Sequence, residues 1–254
     1  MKVAITGASS GIGAATAEVF RARGWDVTAL GIAMCDVPGV QNVPLDLSED
    51  ASIQAAIAAL EPGFNVLVNN AGIPPTDGAG AKILSVNFFG TRAFSNRFED
   101  LMDPGGAIVN VASLAGSGWQ QNMPEVKALL ATSTRDDVEQ LADQSGLSEA
   151  ELYNLSKEAV IAWTQFDAER LLAKNLRANS VSPAATSTAI LEDFQRAFGV
   201  QSAANIRRIG RPGTAKECAA VIAFLASPDS AWVKGVDIKV DGGLHAMRTM
   251  DMLA

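Results

Sequence analysis

The sequence predicts an α/β fold in which helices cover both faces of a parallel sheet. Short apolar runs that suit buried strands alternate along the chain with amphipathic helical segments, an order typical of parallel sheets. The first run, at residues 2–6, leads into a glycine-rich turn and then a helical segment at 14–23. A chain of 254 residues that is 48% hydrophobic can bury the core of one such domain. We therefore predict a single domain over residues 1–254.

The glycine-rich turn Thr6-Gly-Ala-Ser-Ser-Gly-Ile-Gly13 is the first candidate binding element. Glycines allow positive φ and a close approach of backbone to a ligand, and the free N–H groups at a helix N-terminus favour a phosphate. A glycine turn alone can be purely structural. Here the strand before it and the helix after it provide the context that phosphate binding requires.

The remaining elements continue the same alternation. Ile53, Ile57 and Leu60 mark a helix at i, i+4 and i+7, and a last helix, after the break at Arg211-Pro-Gly, ends at Leu225. Further strands are predicted at 25–30, 41–45, 64–69, 107–112 and 236–240. Ligands of parallel sheets bind at the carboxyl ends of the strands. The segment 69–72 (Asn-Asn-Ala-Gly) and Ser113 follow two of these strands, although each alone could be a turn or a helix cap.

Tyr153 and Lys157 are predicted to lie one helical turn apart on the same face. A neighbouring apolar stripe would dock this helix on the core and turn the pair toward a cleft; it comprises Leu152, Leu155, Ala159, Ala162 and Phe166. Free tyrosine has a pKa of about 10, and a nearby cation can lower it by roughly 1–3 units. We therefore expect the only tyrosine of the chain to act as an acid/base.

Charge and composition exclude several classes of function. A net charge of −8 and a pI near 4.7 argue against nucleic acid or an anionic membrane as the main partner. The N-terminus enters an apolar strand almost at once, so no signal peptide is expected. Cys35, Cys218 and the single His245 lack metal-ligand spacing. We expect a reduced cytoplasmic protein that binds a small molecule and no metal.

Taken in order, these motifs resemble the short-chain dehydrogenase/reductase family over nearly the whole chain. Later segments also match the family: Arg177-Ala-Asn-Ser-Val-Ser-Pro183 and Val240-Asp-Gly-Gly243. The resemblance implies a Rossmann-type doubly wound parallel sheet of about seven strands. It also implies that hydride passes between a nicotinamide cofactor and an alcohol or ketone.

The resemblance assigns roles residue by residue. Tyr153 would be the acid/base, Ser113 would hold the reacting oxygen, Lys157 would lower the pKa of Tyr153 and bind the nicotinamide ribose, and Asn87 would hold a relay water. Other residues would bind the cofactor: Gly7, Ser10, Gly11, Ile12 and Gly13 at the pyrophosphate, Ile32, Asp46 and Leu47 near the adenosine, Asn70, Ala71 and Gly72 at the adenine ribose, and Pro183, Thr186 and Thr188 at the nicotinamide.

The chain departs from the family pattern at two cofactor positions. Gly31 stands where relatives that prefer NAD have an Asp, and Ile32, Ser9 and Ser10 stand where NADP enzymes place a cation. An unpaired 2′-phosphate should cost more than an unpaired ribose diol. NAD is therefore the expected cofactor, with NADP left open. Ala184 replaces the usual glycine after Pro183, which would cost modest strain if the position needs positive φ.

An insertion separates Ser113 from Tyr153 by 40 residues, where the family commonly has about a dozen. Its residues 119–151 predict two or three short helices, with the segment Leu147-Ser148-Glu149 capping the next helix. The sequence leaves three roles open for this insertion: a surface elaboration, a wall or lid over the substrate, or a block on one oligomer interface. The insertion resembles that of the 3α-hydroxysteroid dehydrogenase/carbonyl reductases and coniferyl alcohol dehydrogenases, which implies an apolar cyclic or aromatic substrate.

The expected activity is therefore that of an oxidoreductase acting on an apolar cyclic secondary alcohol or ketone. An apolar lid after the nicotinamide loop agrees with such a substrate, and it would comprise Ile190, Leu191, Phe194 and Phe198. Two alternatives are a dehydrogenase of aromatic primary alcohols and a nucleotide-sensing protein without turnover. The resemblance also implies a homodimer or homotetramer, which the Met-rich tail at 245–254 could support.

Overall fold

The computed structural model describes residues 1–188 and 191–251. Within these residues, nine strands follow one another: β1 (Lys2–Thr6), β2 (Asp26–Gly31), β3 (Gln41–Pro44), β4 (Phe64–Asn69), β5 (Met102–Val111), β6 (Arg177–Pro183), β7 (Thr186–Ser187), β8 (Gly213–Thr214) and β9 (Asp237–Val240). Seven of them form one parallel sheet in the order β3-β2-β1-β4-β5-β6-β9. This sheet confirms the predicted Rossmann-type architecture. The short strands β7 and β8 pair separately.

Helices connect the strands, and their bounds are α1 (Gly11–Ala22), α2 (Asp50–Ala58), α3 (Gly80–Leu84), α4 (Thr91–Phe98), α5 (Met123–Ala131), α6 (Arg135–Ser145), α7 (Glu149–Phe166), α8 (Ala168–Ala173), α9 (Leu191–Ile209), α10 (Ala215–Ala226) and α11 (Leu244–Asp251). A π-helix spans Ser85–Gly90, and short 3₁₀ helices span Glu99–Leu101, Leu114–Gly118 and Pro228–Ser230.

The core lies on both faces of the sheet because alternate residues of each strand point in opposite directions. Val3 and Ile5 of β1 pack with Phe20 of α1 and Ile222 of α10. Ala4, between them in sequence, belongs to a second cluster on the opposite face that draws on α2 and α4. This two-sided burial explains why the strands read as continuous apolar runs.

The strand order reverses beside β1, which pairs with β2 on one side and with β4 on the other. In doubly wound sheets a crevice opens at the carboxyl ends of the strands at such a switch point. The glycine turn after β1 and the Asn-Asn-Ala-Gly segment after β4 therefore meet there.

The insertion forms two α-helices, α5 and α6, which confirms the prediction of short helices in this segment. Val126, Leu129 and Val138 are fully buried and contribute to a third apolar cluster with α7. Thr134 and Ser148 begin α6 and α7 with capping boxes, in which the hydroxyl and the N3 carboxylate exchange hydrogen bonds with backbone N–H groups. The predicted cap at Ser148 is confirmed.

Two local expectations differ from the structure, and the condition attached to a third, at Ala184, is not met. Phe166 was predicted on the buried stripe but is 54% exposed, because α7 ends there and its ring packs edgewise against Trp119 of the insertion. Strand β5 begins five residues before the predicted start, at Met102. Ala184 carries no strain of the kind considered, because Asn175 is the only non-glycine with positive φ in the described part of the chain.

No helix within the described ranges is long and apolar enough to cross a membrane. In those same ranges, no three His, Cys, Asp or Glu side chains cluster in a way that could hold a metal ion. Cys35 and Cys218 are buried and not joined by a disulfide.

Candidate active site

A cavity of about 700 Å³ opens at the carboxyl ends of the strands. It is lined by nearly every residue predicted to act in binding or catalysis: Gly7, Ser10, Gly11, Ile12, Ile32, Asp46, Leu47, Asn70, Ala71, Gly72, Ser113, Tyr153, Lys157, Pro183, Thr186 and Thr188. Gly13 and Asn87 are not part of the lining, and both lie behind it. One continuous cavity therefore joins the glycine turn to the Tyr-Lys pair.

The glycine turn is held against β4 by tight backbone packing. Gly7 has a φ of +67°, and a Cβ there would lie 2.8 Å from the Cα of Ala71. At Gly13 a Cβ would lie 2.2 Å from the carbonyl oxygen of Gly7. Gly13 thus lets α1 pack under the turn, while Gly7 and Gly11 supply the positive φ that the turn needs.

The N-terminus of α1 is open toward the cavity. Ser10 occupies the N-cap position, but its side chain accepts no hydrogen bond from the helix, and the first turn contains no acidic residue. The first N–H groups of the helix are therefore free of side-chain partners and suit an anionic group. The fit of a dinucleotide pyrophosphate to this turn rests on that observation.

Asn70 supports the turn from the side. Its Nδ2 donates to the carbonyl oxygens of Thr6 at 3.1 Å and Gly7 at 2.9 Å. In return, the Thr6 hydroxyl oxygen accepts from the backbone N–H groups of Asn70 and Ala71, both at 3.0 Å. The ends of β1 and β4 are thus fixed to each other directly beside the cavity.

Tyr153 and Lys157 lie on the same face of α7 and are 6% and 5% exposed. Lys157 Nζ lies 5.8 Å from the centre of the Tyr153 ring and donates to the carbonyl oxygen of Val111 at 3.0 Å. Ser113 begins a 3₁₀ turn two residues after β5, and its hydroxyl oxygen accepts from the Ala115 N–H at 3.2 Å. The helix and the strand end therefore bring the three side chains together.

Burial shifts the pKa values of both side chains. The shift at Tyr153 is opposite in direction to the one expected from the sequence. Desolvation raises the pKa of Tyr153 to about 12, and a hydrogen bond with Ser113 lowers it only in part. Desolvation also lowers the pKa of Lys157 to about 8. The expectation of a lowered pKa for Tyr153 is wrong for this structure, because loss of water outweighs the hydrogen bond with Ser113.

Asn87 lies in the π-helix Ser85–Gly90, an element frequent at functional sites. Its Oδ1 accepts from the N–H of Ile73 at 2.7 Å, and its Nδ2 donates to the Ile73 carbonyl oxygen at 3.0 Å. Asn87 thereby fixes the chain just after Gly72. Its predicted role in holding a water stays a prediction.

Two phenylalanines of α9 cover Tyr153. The centres of the Phe194 and Phe198 rings lie 5.1 Å and 6.2 Å from that of Tyr153, both nearly edge-on, and the two rings are parallel to within 12°. Gly199, with φ 50° and ψ −130°, interrupts the helix directly after them. Of the predicted lid, Ile190 lies outside the described residues, and Leu191 begins α9 without lining the cavity.

Sequence reasoning missed the far end of the cavity. The additional lining residues there are Gln201, Ser202, Asn205, Ile209, Leu244 and Arg248. Those on α9 recur every three or four residues in the part of the helix that follows Gly199, so this spacing was available in the sequence. Arg248 comes from α11, whose docking on α9 the sequence does not indicate.

Asp46 and Leu47 line the end of the cavity that lies beside β2 and β3. The carboxylate of Asp46 accepts from the N–H and the hydroxyl of Ser48, at 2.8 Å and 2.6 Å. Chiefly these two hydrogen bonds lower the pKa of Asp46 below its usual value. The side chain is ionised and oriented before any ligand arrives.

Comparison with known proteins yields two family matches. Residues 1–126 match a family described as short chain dehydrogenase, and residues 137–245 match one described as enoyl-(acyl carrier protein) reductase. Among characterised relatives, the chain is 34% identical over 245 residues to coniferyl-alcohol dehydrogenase of Pseudomonas sp. (strain HR199 / DSM 7063), with 96% of each chain covered. It is 28% identical over 254 residues to 3-alpha-hydroxysteroid dehydrogenase/carbonyl reductase of Comamonas testosteroni, again with 96% of each covered.

Among solved structures, the 3-alpha-hydroxysteroid dehydrogenase from Pseudomonas sp. B-0831 complexed with NADH superimposes with a TM-score of 0.85 at 28% identity. The match covers 98% of this chain and 99% of that one. The likeness therefore includes the insertion and both ends of the sheet.

Proposed function

The chain belongs to the short-chain dehydrogenase/reductase family of nicotinamide-dependent oxidoreductases, and we propose that it interconverts an apolar cyclic secondary alcohol and its ketone. The observation that carries this proposal is the environment of Tyr153. Its hydroxyl is paired with Ser113, and its ring is walled by Phe194 and Phe198. A proton donor thus faces an apolar compartment next to the cofactor cavity.

Each residue of the site has a separate role in the proposed reaction. When bound, the nicotinamide supplies or accepts the hydride. Tyr153 gives its phenolic proton to the carbonyl oxygen during reduction, and Ser113 holds that oxygen by a hydrogen bond. A phenol is protonated at neutral pH, and burial, which raises the pKa of Tyr153 to about 12, extends this state to higher pH; Tyr153 is therefore in the form that ketone reduction requires. Lys157, fixed to Val111, orients the ribose side of the cavity.

We propose that the cofactor lies along the cavity, with each of its parts bound by a segment that follows a strand. The pyrophosphate would lie on Gly7, Ser10, Gly11 and Ile12, where the N-terminus of α1 is open. Asp46 and Leu47 would contact the adenine, and Pro183, Thr186 and Thr188 the nicotinamide.

NAD is the proposed cofactor in preference to NADP. At the end of β2, Gly31 and the 85% exposed Ile32 offer no positive charge to a 2′-phosphate. The NADH named for the steroid dehydrogenase structure supports the same choice. A dinucleotide without the additional phosphate therefore suits this end of the cavity better.

An aromatic primary alcohol is the second candidate substrate. The relative named coniferyl-alcohol dehydrogenase favours it, and two parallel phenyl rings suit a flat aromatic substrate as well as a steroid-like ring system. Both candidates need the same proton chemistry at Tyr153 and differ in the shape of the alcohol.

The test measures initial rates by nicotinamide absorbance, with NAD and NADP in turn, against cyclic alcohols, hydroxysteroids and coniferyl-type alcohols. The proposal expects the highest kcat/KM with NAD and a cyclic secondary alcohol. Preference for aromatic primary alcohols would establish the second candidate. Tight NADH binding with no turnover of any alcohol would overturn both and leave a nucleotide-sensing protein.

We further propose a cytoplasmic homodimer or homotetramer. Two buried, reduced cysteines suit a reducing compartment. The largely exposed Trp232 lies close in sequence before the edge strand β9, so one large apolar side chain is available there for contact with a second copy. Light scattering would report the subunit number, and a monomeric mass would contradict the assembly.

A further inference from the structure

Arg135, the first residue of α6, reaches from the insertion to the adenine end of the cavity. Its Nη2 donates to the carbonyl oxygen of Leu47 at 3.0 Å and to the carboxylate of Asp50 at 2.7 Å. Its Nη1 donates to the hydroxyl of Ser85 at 2.7 Å. The guanidinium also lies over the Phe89 ring, 5.2 Å from its centre. One side chain therefore joins the loop after β3, the start of α2 and the π-helix.

The contacts of Arg135 lie where the π-helix already packs against the loop after β3. Gly90, the last residue of the π-helix, packs against the carbonyl oxygen of Leu47 so closely that a Cβ would lie 1.9 Å from it. Leu47 lines the cofactor cavity, and Asn87 belongs to the same π-helix. A side chain that holds Leu47 and Ser85 together therefore fixes the distance between the adenine end and the support of Gly72 and Ile73.

The planar fork of arginine is required for this geometry. Three donor atoms on Arg135 serve three acceptor groups in different directions, which a lysine ammonium on a flexible stem cannot reproduce. The Asp50 carboxylate is 61% exposed, so that ion pair contributes little by itself. The bonds to Leu47 and Ser85 remain as the contacts that position the site.

A second arginine attaches the insertion without touching the cofactor loop. Arg92 of α4 donates to the carbonyl oxygens of Leu130 at 2.7 Å and Thr132 at 2.6 Å, at the end of α5. Its guanidinium lies over Phe88. Arg92 and Arg135 thus both fasten the insertion to the body of the protein, but only Arg135 reaches Leu47. They form a matched pair for experiment.

We propose that Arg135 is a positioning residue for cofactor binding, and that the insertion serves as a fixed brace on the Asp46–Leu47 loop. The inference rests on the proposed function in one respect, namely that this loop contacts the adenine of the cofactor. It gives the insertion a role at the cofactor end of the cavity, away from the substrate.

The test compares NADH dissociation constants, measured by fluorescence titration, for the wild type and for Arg135→Met, Arg135→Lys, Arg92→Met and Asp50→Asn. Arg135→Met should weaken NADH binding by about 3- to 30-fold, the range for residues that act through a neighbour. Arg135→Lys should recover little of this loss. Arg92→Met and Asp50→Asn should change it less than about twofold, even if Arg92→Met lowers the melting temperature as much as Arg135→Met.

Steady-state kinetics and hydrogen exchange separate positioning from general loosening. Arg135→Met should raise KM for the cofactor while kcat changes less than about twofold, because the atoms around Tyr153 are untouched. Without cofactor, amides of residues 45–49 should exchange faster in Arg135→Met than in Arg92→Met. This exchange measurement stands even if the variant loses activity.

Two results would overturn the inference while leaving the proposed function intact: unchanged NADH affinity in Arg135→Met, or equal weakening in Arg92→Met. Failure of the wild type to bind NADH at all would instead remove the proposed function. The experiment therefore distinguishes the two.

Discussion

Lys157 Nζ donates a hydrogen bond to the carbonyl oxygen of Val111, which attaches helix α7 to the end of β5. The ammonium is almost fully removed from water, and this desolvation lowers the pKa of Lys157 from 10.5 to about 8. Burial of this ammonium group therefore lowers the stability of the fold.

The first prediction concerns stability against pH. Below pH 8 Lys157 is protonated in both states, and the penalty for the buried charge is present in full. Between pH 8 and 10.5 the folded state loses the proton first, so the contribution to the free energy of unfolding rises by on the order of 3 kcal/mol. Chemical denaturation of the cofactor-free protein at pH 7.5 and 9.5 should capture on the order of 2 kcal/mol of this rise, because pH 9.5 is still below the pKa of the unfolded state.

Lys157→Met is the control for that prediction, because it removes the titrating group and keeps an unbranched side chain. Its unfolding free energy should lack the rise. Above pH 10 the raised pKa of Tyr153 acts in the opposite direction, since the unfolded state then loses its proton first and stability falls. An equal rise in Lys157→Met would locate the titration elsewhere.

The second prediction concerns Tyr153→Phe. The variant loses the phenolic proton but keeps the ring that packs against Phe194 and Phe198, so melting temperature and NADH affinity should be unchanged. We expect kcat to fall at least about 100-fold, the lower range for loss of a general acid. A turnover rate within a few-fold of the wild type would remove Tyr153 from the mechanism.

The third prediction concerns the phenyl rings over Tyr153. Phe194→Ala and Phe198→Ala should each raise KM for an apolar cyclic substrate by about 2- to 10-fold, the value of an aromatic contact. Cofactor affinity should stay the same. Val200→Ala is the matched control, because Val200 lies on α9 but is largely exposed. If the control raises KM equally, the effect belongs to the helix as a whole.

The fourth prediction concerns cofactor choice. A Cβ at Gly31 would meet no atom closer than 3.7 Å, so the backbone there accepts a side chain without a clash at its first atom. Gly31→Asp should raise the ratio of kcat/KM for NAD over NADP by about tenfold or more, since a charged acceptor binds the ribose hydroxyls and repels the 2′-phosphate. Gly31→Asn, of similar size and neutral, should change it less. An unchanged ratio would mean that the end of β2 does not face the adenosine ribose.

Most of the sheet and the cavity lining could be predicted because they follow from local patterns. The glycine turn, the strand ends and the Tyr153-Lys157 spacing each carry their signal within a few residues. Ser148 shows that the start of a helix can also be read locally. A hydroxyl followed three residues later by Glu151 indicates a capping box, and α7 begins directly after Ser148.

What the sequence did not predict depends on contacts between distant segments. The pKa of Tyr153 was expected in the wrong direction because a charge neighbour is visible in the spacing, whereas the degree of desolvation is not. Arg135 reads as an ordinary residue at a helix start, and its bonds to Leu47 and Ser85 join positions 88 and 50 residues apart. Phe166 fell outside the core for a similar reason, since the end of α7 was not evident.

The π-helix Ser85–Gly90 makes the placement of Asn87 a matter of residue count as well as residue type. Each π turn contains one residue more than an α turn, and successive residues of an α-helix are rotated by about 100°. Deleting one residue would turn the wide turn into an ordinary one and move the Asn87 amide away from Ile73, even with every side chain retained. In a library of variants, single-residue deletions in this segment should therefore be rejected as strictly as exchanges of its buried residues.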